Sequence, residues 1–164
     1  MRQTGFRWWL PVILVGFALG YLVFRDDAPD LTEDLRARLT SAPGSMFRII
    51  YLEDIARDHD RSDWSVACVI EPYARATGDA VPEPLSGEWW VGTSKEDEWR
   101  IALLDSRRVL RSFRVRYRPF QLGNVNRTGI KCVPRANNPV LRISQELSGS
   151  LLVQLGAGDA RPSQ

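Results

Sequence analysis

The chain has 164 residues, 44% of them hydrophobic and 26% charged, a balance that excludes a disordered protein and leaves room for one domain of ordinary size. The formal net charge of +2 is too small to argue for or against any charged partner. Its distribution is more telling: residues 26–105 carry 18 acidic and 8 basic side chains, a net of −10, whereas residues 106–142 carry 10 basic and no acidic ones. Such polarity could mark an anion-binding face, but acidic strands paired with basic ones give the same count. Twenty arginines stand against two lysines, Lys95 and Lys131. That bias suits phosphate recognition, and a coding preference explains it equally well.

Residues 8–24, WWLPVILVGFALGYLVF, hold no charged side chain and are flanked by Arg7 and Arg25. At about 1.5 Å per residue this run makes roughly 25 Å of helix, at the lower limit for crossing a ~30 Å hydrocarbon core. Trp8, Trp9 and Tyr21 fit the interfacial aromatic positions of a span. A removable signal peptide is the competing reading. No small-x-small cleavage site follows the run and no cysteine lies close behind it for lipid attachment, so an uncleaved signal anchor is expected. Arg2 and Arg7 on one side nearly balance Arg25, Arg36 and Arg38 on the other. A short basic tail is expected to stay inside, which places the rest of the chain outside the cytoplasm. Gly16 and Gly20 form a G-x-x-x-G face through which two such helices could pack as a homodimer.

Residues 1–25 therefore read as tail and anchor, 26–30 as a short acidic linker, 31–155 as the folded domain and 156–164 as a flexible tail. Asp30 is placed to cap a helix reaching Thr40, with Leu31, Leu35 and Leu39 spaced along one face. Strands are expected at 47–52, 64–70, 89–91, 98–104, 109–118, 129–133, 140–144 and 151–155, divided by turn-rich pieces. One or two helices with many short strands imply an α+β domain built on a mainly antiparallel sheet.

The two cysteines, Cys68 and Cys132, each sit in a short apolar run. Outside the cytoplasm an even pair without metal-ligand spacing reads as a disulfide, whereas inside it would be two buried thiols. In the following hairpin, Phe113, Val115 and Tyr117 share one strand face while Ser112, Arg114, Arg116 and Arg118 share the other. A three-residue loop at 106–108 pairs Leu104 with Leu110, Ile101 with Phe113, Trp99 with Val115 and Glu98 with Arg116. A two-residue loop would set Trp99 against Arg114 and mix the faces, so the first register is expected. Glu98 and Glu96 then answer Arg116 and Arg118. Arg107, Arg108, Arg111 and Arg114 lack an evident acidic partner and are the candidate anion- or partner-binding cluster.

At WSVACVIEPYA the chain resembles a loose group of small bacterial envelope proteins in which a strand ends in C-V-[IFL]-x-P-Y and a second cysteine follows downstream. Cys68, Val69, Pro72, Tyr73 and Cys132 carry the likeness over about residues 64–133. The resemblance implies an exported, disulfide-bonded domain and carries no activity.

Chemistry for catalysis is sparse. His59 is the only histidine and reads as a solvated loop residue. One imidazole builds neither a multi-histidine metal site nor, without a nucleophile elbow, a Ser-His-Asp triad. Adjacent acids such as Asp58 and Asp60 are the pattern of a solvated loop. There is no phosphate-binding glycine loop. Trp64, Trp89, Trp90 and Trp99 could stack on glycan, although on strands they are more simply core, each with its indole N–H satisfied.

The expectation is a single-pass inner-membrane protein with a periplasmic domain. It would bind an envelope protein without catalysis, metal or cofactor. The alternative is a module gripping anionic lipid, lipopolysaccharide or glycan through the arginine hairpin. The membrane anchor argues against nucleic acid as a partner.

Overall fold

The computed structural model describes residues 28–40, 47–59, 63–74, 96–106, 108–125 and 127–159. The apolar run 8–24 with Gly16 and Gly20, the expected strand at 89–91, and Arg107 lie outside them. Among the described residues no helix is long and apolar enough to cross a membrane.

The described residues form two helices and eight strands, in order α1 (Thr32–Thr40), β1 (Phe47–Tyr51), α2 (Leu52–Asp58), β2 (Val66–Ile70), β3 (Glu98–Leu104), β4 (Val109–Arg116), β5 (Phe120–Gly123), β6 (Ile130–Pro134), β7 (Pro139–Gln145) and β8 (Leu151–Ala157). They form two four-stranded sheets, ordered β1-β7-β8-β5 and β4-β3-β2-β6. Every pairing is antiparallel except β5 with β8. The expected α+β class and mainly antiparallel pairing hold, divided over two sheets.

Both sheets send alternate side chains into one core. Ile50, Phe120, Leu141, Ile143, Val153 and Leu155 come from the first, and Val69, Trp99, Ile101, Leu103, Phe113 and Val115 from the second. Leu31 and Leu35 from α1, with Leu52, Ile55 and Ala56 from α2, complete it. The opposite face of the second sheet is also apolar, with Cys68, Ile70, Ala102, Leu104 and Ile130 buried there. A strand buried on both faces needs an unbroken apolar run, and VACVI supplies it.

The disulfide joins Cys68 to Cys132, which stand directly opposite each other on β2 and β6 with Cα atoms 4.0 Å apart. Loop length and sheet register thus agree: a closure 64 residues long in sequence is one residue pair wide in space.

In the β3–β4 hairpin, Glu98 faces Arg116, Trp99 faces Val115 and Ile101 faces Phe113, as patterning requires. At the turn the register shifts, so that Leu104 meets Val109 and not Leu110. Asp105 closes that turn, with its N–H donating to Arg108 O at 3.1 Å and its Oδ1 accepting from Arg108 N at 2.8 Å.

Asp30 stands one residue before the cap position expected of it, because α1 opens at Thr32, but its Oδ1 still accepts from Thr32 N, the first helical N–H, at 2.9 Å. Burial alone would raise the Asp30 pKa, but the hydrogen bonds from Thr32 and the Arg116 guanidinium together hold it below 3.8. A folded-state pKa below the unfolded one gives stabilisation that is complete above about pH 4 and disappears as pH falls through the lowered value. Asp30→Ala should cost about 1 kcal/mol at neutral pH through the lost cap. It should also flatten the acid limb of the stability profile, as urea midpoints at neutral and at strongly acid pH will read.

Candidate functional site

The arginine cluster does not form one open patch. Arg114 Nε donates to Ala28 O at 2.7 Å and its backbone N–H to Pro29 O at 2.9 Å. Leu31 N returns a bond to Arg114 O at 2.9 Å, so residues 28–31 run beside β4 as a short parallel bridge. The segment read as a linker is therefore fixed to the domain from Ala28 onward. Arg116 Nε reaches Asp30 Oδ2 at 3.2 Å. Arg108 leans toward Asp105, 3.8 Å away, with its side chain 75% exposed. Arg111 shares the core-facing side of β4 with Phe113 and Val115, opposite Leu103. Its Nε is buried with no acceptor among the described residues.

A different group of side chains encloses space. Tyr51 ends β1 and leads into α2, and Glu53 lies in the first turn of α2. Trp64 precedes β2. Arg135 opens a single 3-10 turn after β6, and Asn138 closes it in the left-handed region at φ 46°. With Pro139 these residues line a cavity of about 140 Å³.

Backbone bonds fix this junction. Arg135 N donates to Ser65 O at 2.7 Å and Asn138 N to Arg135 O at 2.9 Å, while Gly158 N donates to Asn138 O at 2.8 Å. Gly158 has to be glycine for that approach, since a Cβ there would sit 2.7 Å from Asn138 O and from Val140 Cγ1.

Arg135 is the organising side chain. Its Nε and Nη2 bind Glu53 Oε2 and Oε1 at 3.0 and 2.7 Å, the two-point fork that only a guanidinium makes with a carboxylate. Nη1 donates to Trp64 O at 3.3 Å, and the guanidinium carbon lies 5.1 Å from the Trp64 ring centre, within cation–π range. Trp64 itself is 2% exposed. Its indole N–H, expected to be satisfied, is buried with no acceptor among the described residues. The two charges in the wall neutralise each other, and Tyr51 and Asn138 add polar groups that both donate and accept. Such a lining suits a neutral side chain with a polar tip better than an ion.

His59 is not a free loop residue: its ring packs 4.8 Å from Phe113, at the end of α2. Trp99 is core, fully buried, with Nε1 donating to Phe120 O at 2.9 Å.

Compared with protein-family models, curated proteins and solved structures, the chain matches none.

Proposed function

We propose that the protein is a membrane-anchored binding module of the bacterial envelope. Residues 8–24 hold it in the inner membrane and the domain works in the periplasm by docking another envelope protein, without chemistry of its own. The Cys68–Cys132 bridge supports an oxidising compartment. The likeness of the stretch around Cys68 to small exported proteins supports the same assignment.

The observation that carries the reading is the cavity between Tyr51, Glu53, Trp64, Arg135, Asn138 and Pro139. Its volume of about 140 Å³ is close to the ~150 Å³ of a cavity that takes up benzene, room for one anchoring side chain of a partner. The hairpin arginines support an anion-binding role less well, because Arg114 is engaged by Ala28 and Pro29 and Arg111 faces the core.

A photo-reactive phenylalanine analogue placed at position 51 in cells should give one discrete adduct with an envelope protein. Arg135→Ala should remove that adduct while the disulfide and the circular dichroism spectrum stay unchanged. Adducts that persist in Arg135→Ala, or none in the parent, contradict the proposal.

A further inference from the structure

The strand registers place the cavity at the end of the domain that carries the β3–β4 turn. Val66 pairs with Leu104 on one side and Pro134 on the other, and Asp105 opens the turn. Ser65 donates its N–H to Leu104 O and accepts from Arg135 N, each at 2.7 Å. Trp64 and Arg135 therefore lie beside Asp105 and Arg108, and Tyr51, Asn138 and Pro139 close the cavity with them. Glu98, Arg116 and the β7–β8 turn at 146–150 mark the opposite end, where Leu151 N donates to Pro119 O.

The chain that leads into the domain arrives from the cavity end. The bridge between Asp30 and Arg114 is parallel, so going back from Leu31 to Ala28 is to move down β4 toward Val109 and the turn. That register sets Ala28 level with Ser112, about 10 Å short of Val109 at ~3.4 Å per residue. Four Cα steps of at most ~3.6 Å put Phe24 within about 14 Å of Ala28. With residues 8–24 spanning the bilayer, as proposed above, the membrane surface lies within that reach, on the side of the turn and the cavity. Arg116 and the residues after it lie the other way, against the direction of the entering chain.

This position narrows the choice of occupant. Where a polypeptide leaves the bilayer, tyrosine and tryptophan are the enriched side chains, because each joins an apolar body to a polar tip. A cavity of about 140 Å³ is close to the ~150 Å³ that takes up benzene, so the single ring of tyrosine fits it. The exposed Asn138 amide can both donate to and accept from a phenol. Arg135 is held by Glu53, and Arg108 leans on Asp105, so these two arginines beside the cavity already answer to carboxylates and favour a neutral group over lipid phosphate.

Building on the anchor and docking reading above, we propose that the cavity end is the membrane-proximal end of the domain, and that the cavity receives a tyrosine from the segment where an integral membrane protein leaves the bilayer. The domain thus reads a neighbour in the same membrane, at the level of its headgroups, and not a soluble protein that approaches from the far side.

Two measurements test this. In phosphatidylcholine vesicles that contain a nickel-chelating lipid, the full chain carries a spin label on a ketone-bearing unnatural residue at position 106 or, as the far-end control, at 147. Relaxation by the headgroup nickel should be several-fold stronger at 106. Equal or stronger relaxation at 147, in a chain that resists carbonate extraction, leaves the anchor standing and overturns the orientation. A chain that carbonate extracts overturns both. In cells, the adduct of the photo-reactive residue at position 51 should map by peptide mass analysis to residues next to a membrane span of the partner. Replacing the tyrosine of that stretch with alanine should reduce the adduct several-fold, and phenylalanine should reduce it less. An adduct with a soluble envelope protein, a contact stretch without tyrosine, or an adduct indifferent to its loss overturns this occupant and leaves docking at the cavity intact. The absence of any adduct overturns both.

Discussion

Replacing both Cys68 and Cys132 with alanine should lower unfolding stability by about 4 kcal/mol, the loop-closure value for a 64-residue separation. A domain of this size has only ~5–15 kcal/mol in total, so the variant should unfold at markedly lower urea. Reductant should move the parent toward the variant and leave the variant unchanged. The two sulfurs lie on the outer face of the second sheet among Ile70, Ala102, Leu104 and Ile130, where alanine leaves little unpaired polarity. The loss therefore reports the cross-link and not a damaged core. A deficit under about 1 kcal/mol would mean that β2 and β6 hold their pairing in the unfolded ensemble without the bridge.

Trp99→Ala should cost about 3–5 kcal/mol, the range for truncating a fully buried aromatic. Trp99 stands in β3, but its indole donates to Phe120 O at the first residue of β5, in the other sheet. The side chain thus packs the shared core and also ties the sheets together. Trp99→Phe separates the two contributions, since it keeps most of the volume and loses the bond, and should cost about 1 kcal/mol. Equal losses in the two variants, read from urea titrations, would show that the hydrogen bond and not the packing dominates.

The parts of the fold legible in the sequence are those in which local pattern and tertiary need coincide. Strand β3 is bounded at Glu98 and Leu104 as expected, because alternation across the hairpin allows one register only. Leu31, Leu35 and Leu39 face the core because their spacing matches a helix turn. The register fails only at Leu104, where the Asp105–Arg108 turn closes one residue tighter than a simple loop.

Helix α2 was hidden by the apolar run FRIIYL, which reads as one strand while Leu52 in fact opens a helix. Its cap residue, Tyr51, makes no side-chain capping bond, so the usual polar start signal is missing. Strand β5 is four residues long and pairs in parallel with a strand some thirty positions later, beyond the reach of local pattern.

The partners of the hairpin arginines are hidden for a related reason. Arg114 answers to backbone carbonyls of residues 28 and 29, and a carbonyl acceptor leaves no trace in residue identity. The candidate cavity was equally invisible, since its charged pair, Glu53 and Arg135, is 82 residues apart. The available signal is Trp64, whose ring is buried with Arg135 over its face and which also lines the cavity.

The proposed anchoring by residues 8–24, with the domain outside the cytoplasm, can be read directly from lysine accessibility. The chain has only two lysines, Lys95 and Lys131, both beyond that run, and Lys131 is partly exposed on β6. A membrane-impermeant amine reagent applied to intact spheroplasts, followed by peptide mass analysis, should modify the domain lysines as fully as after lysis. The amino terminus should be modified only after lysis. Lysines that stay unmodified until the cells are broken would place the domain inside and contradict the account.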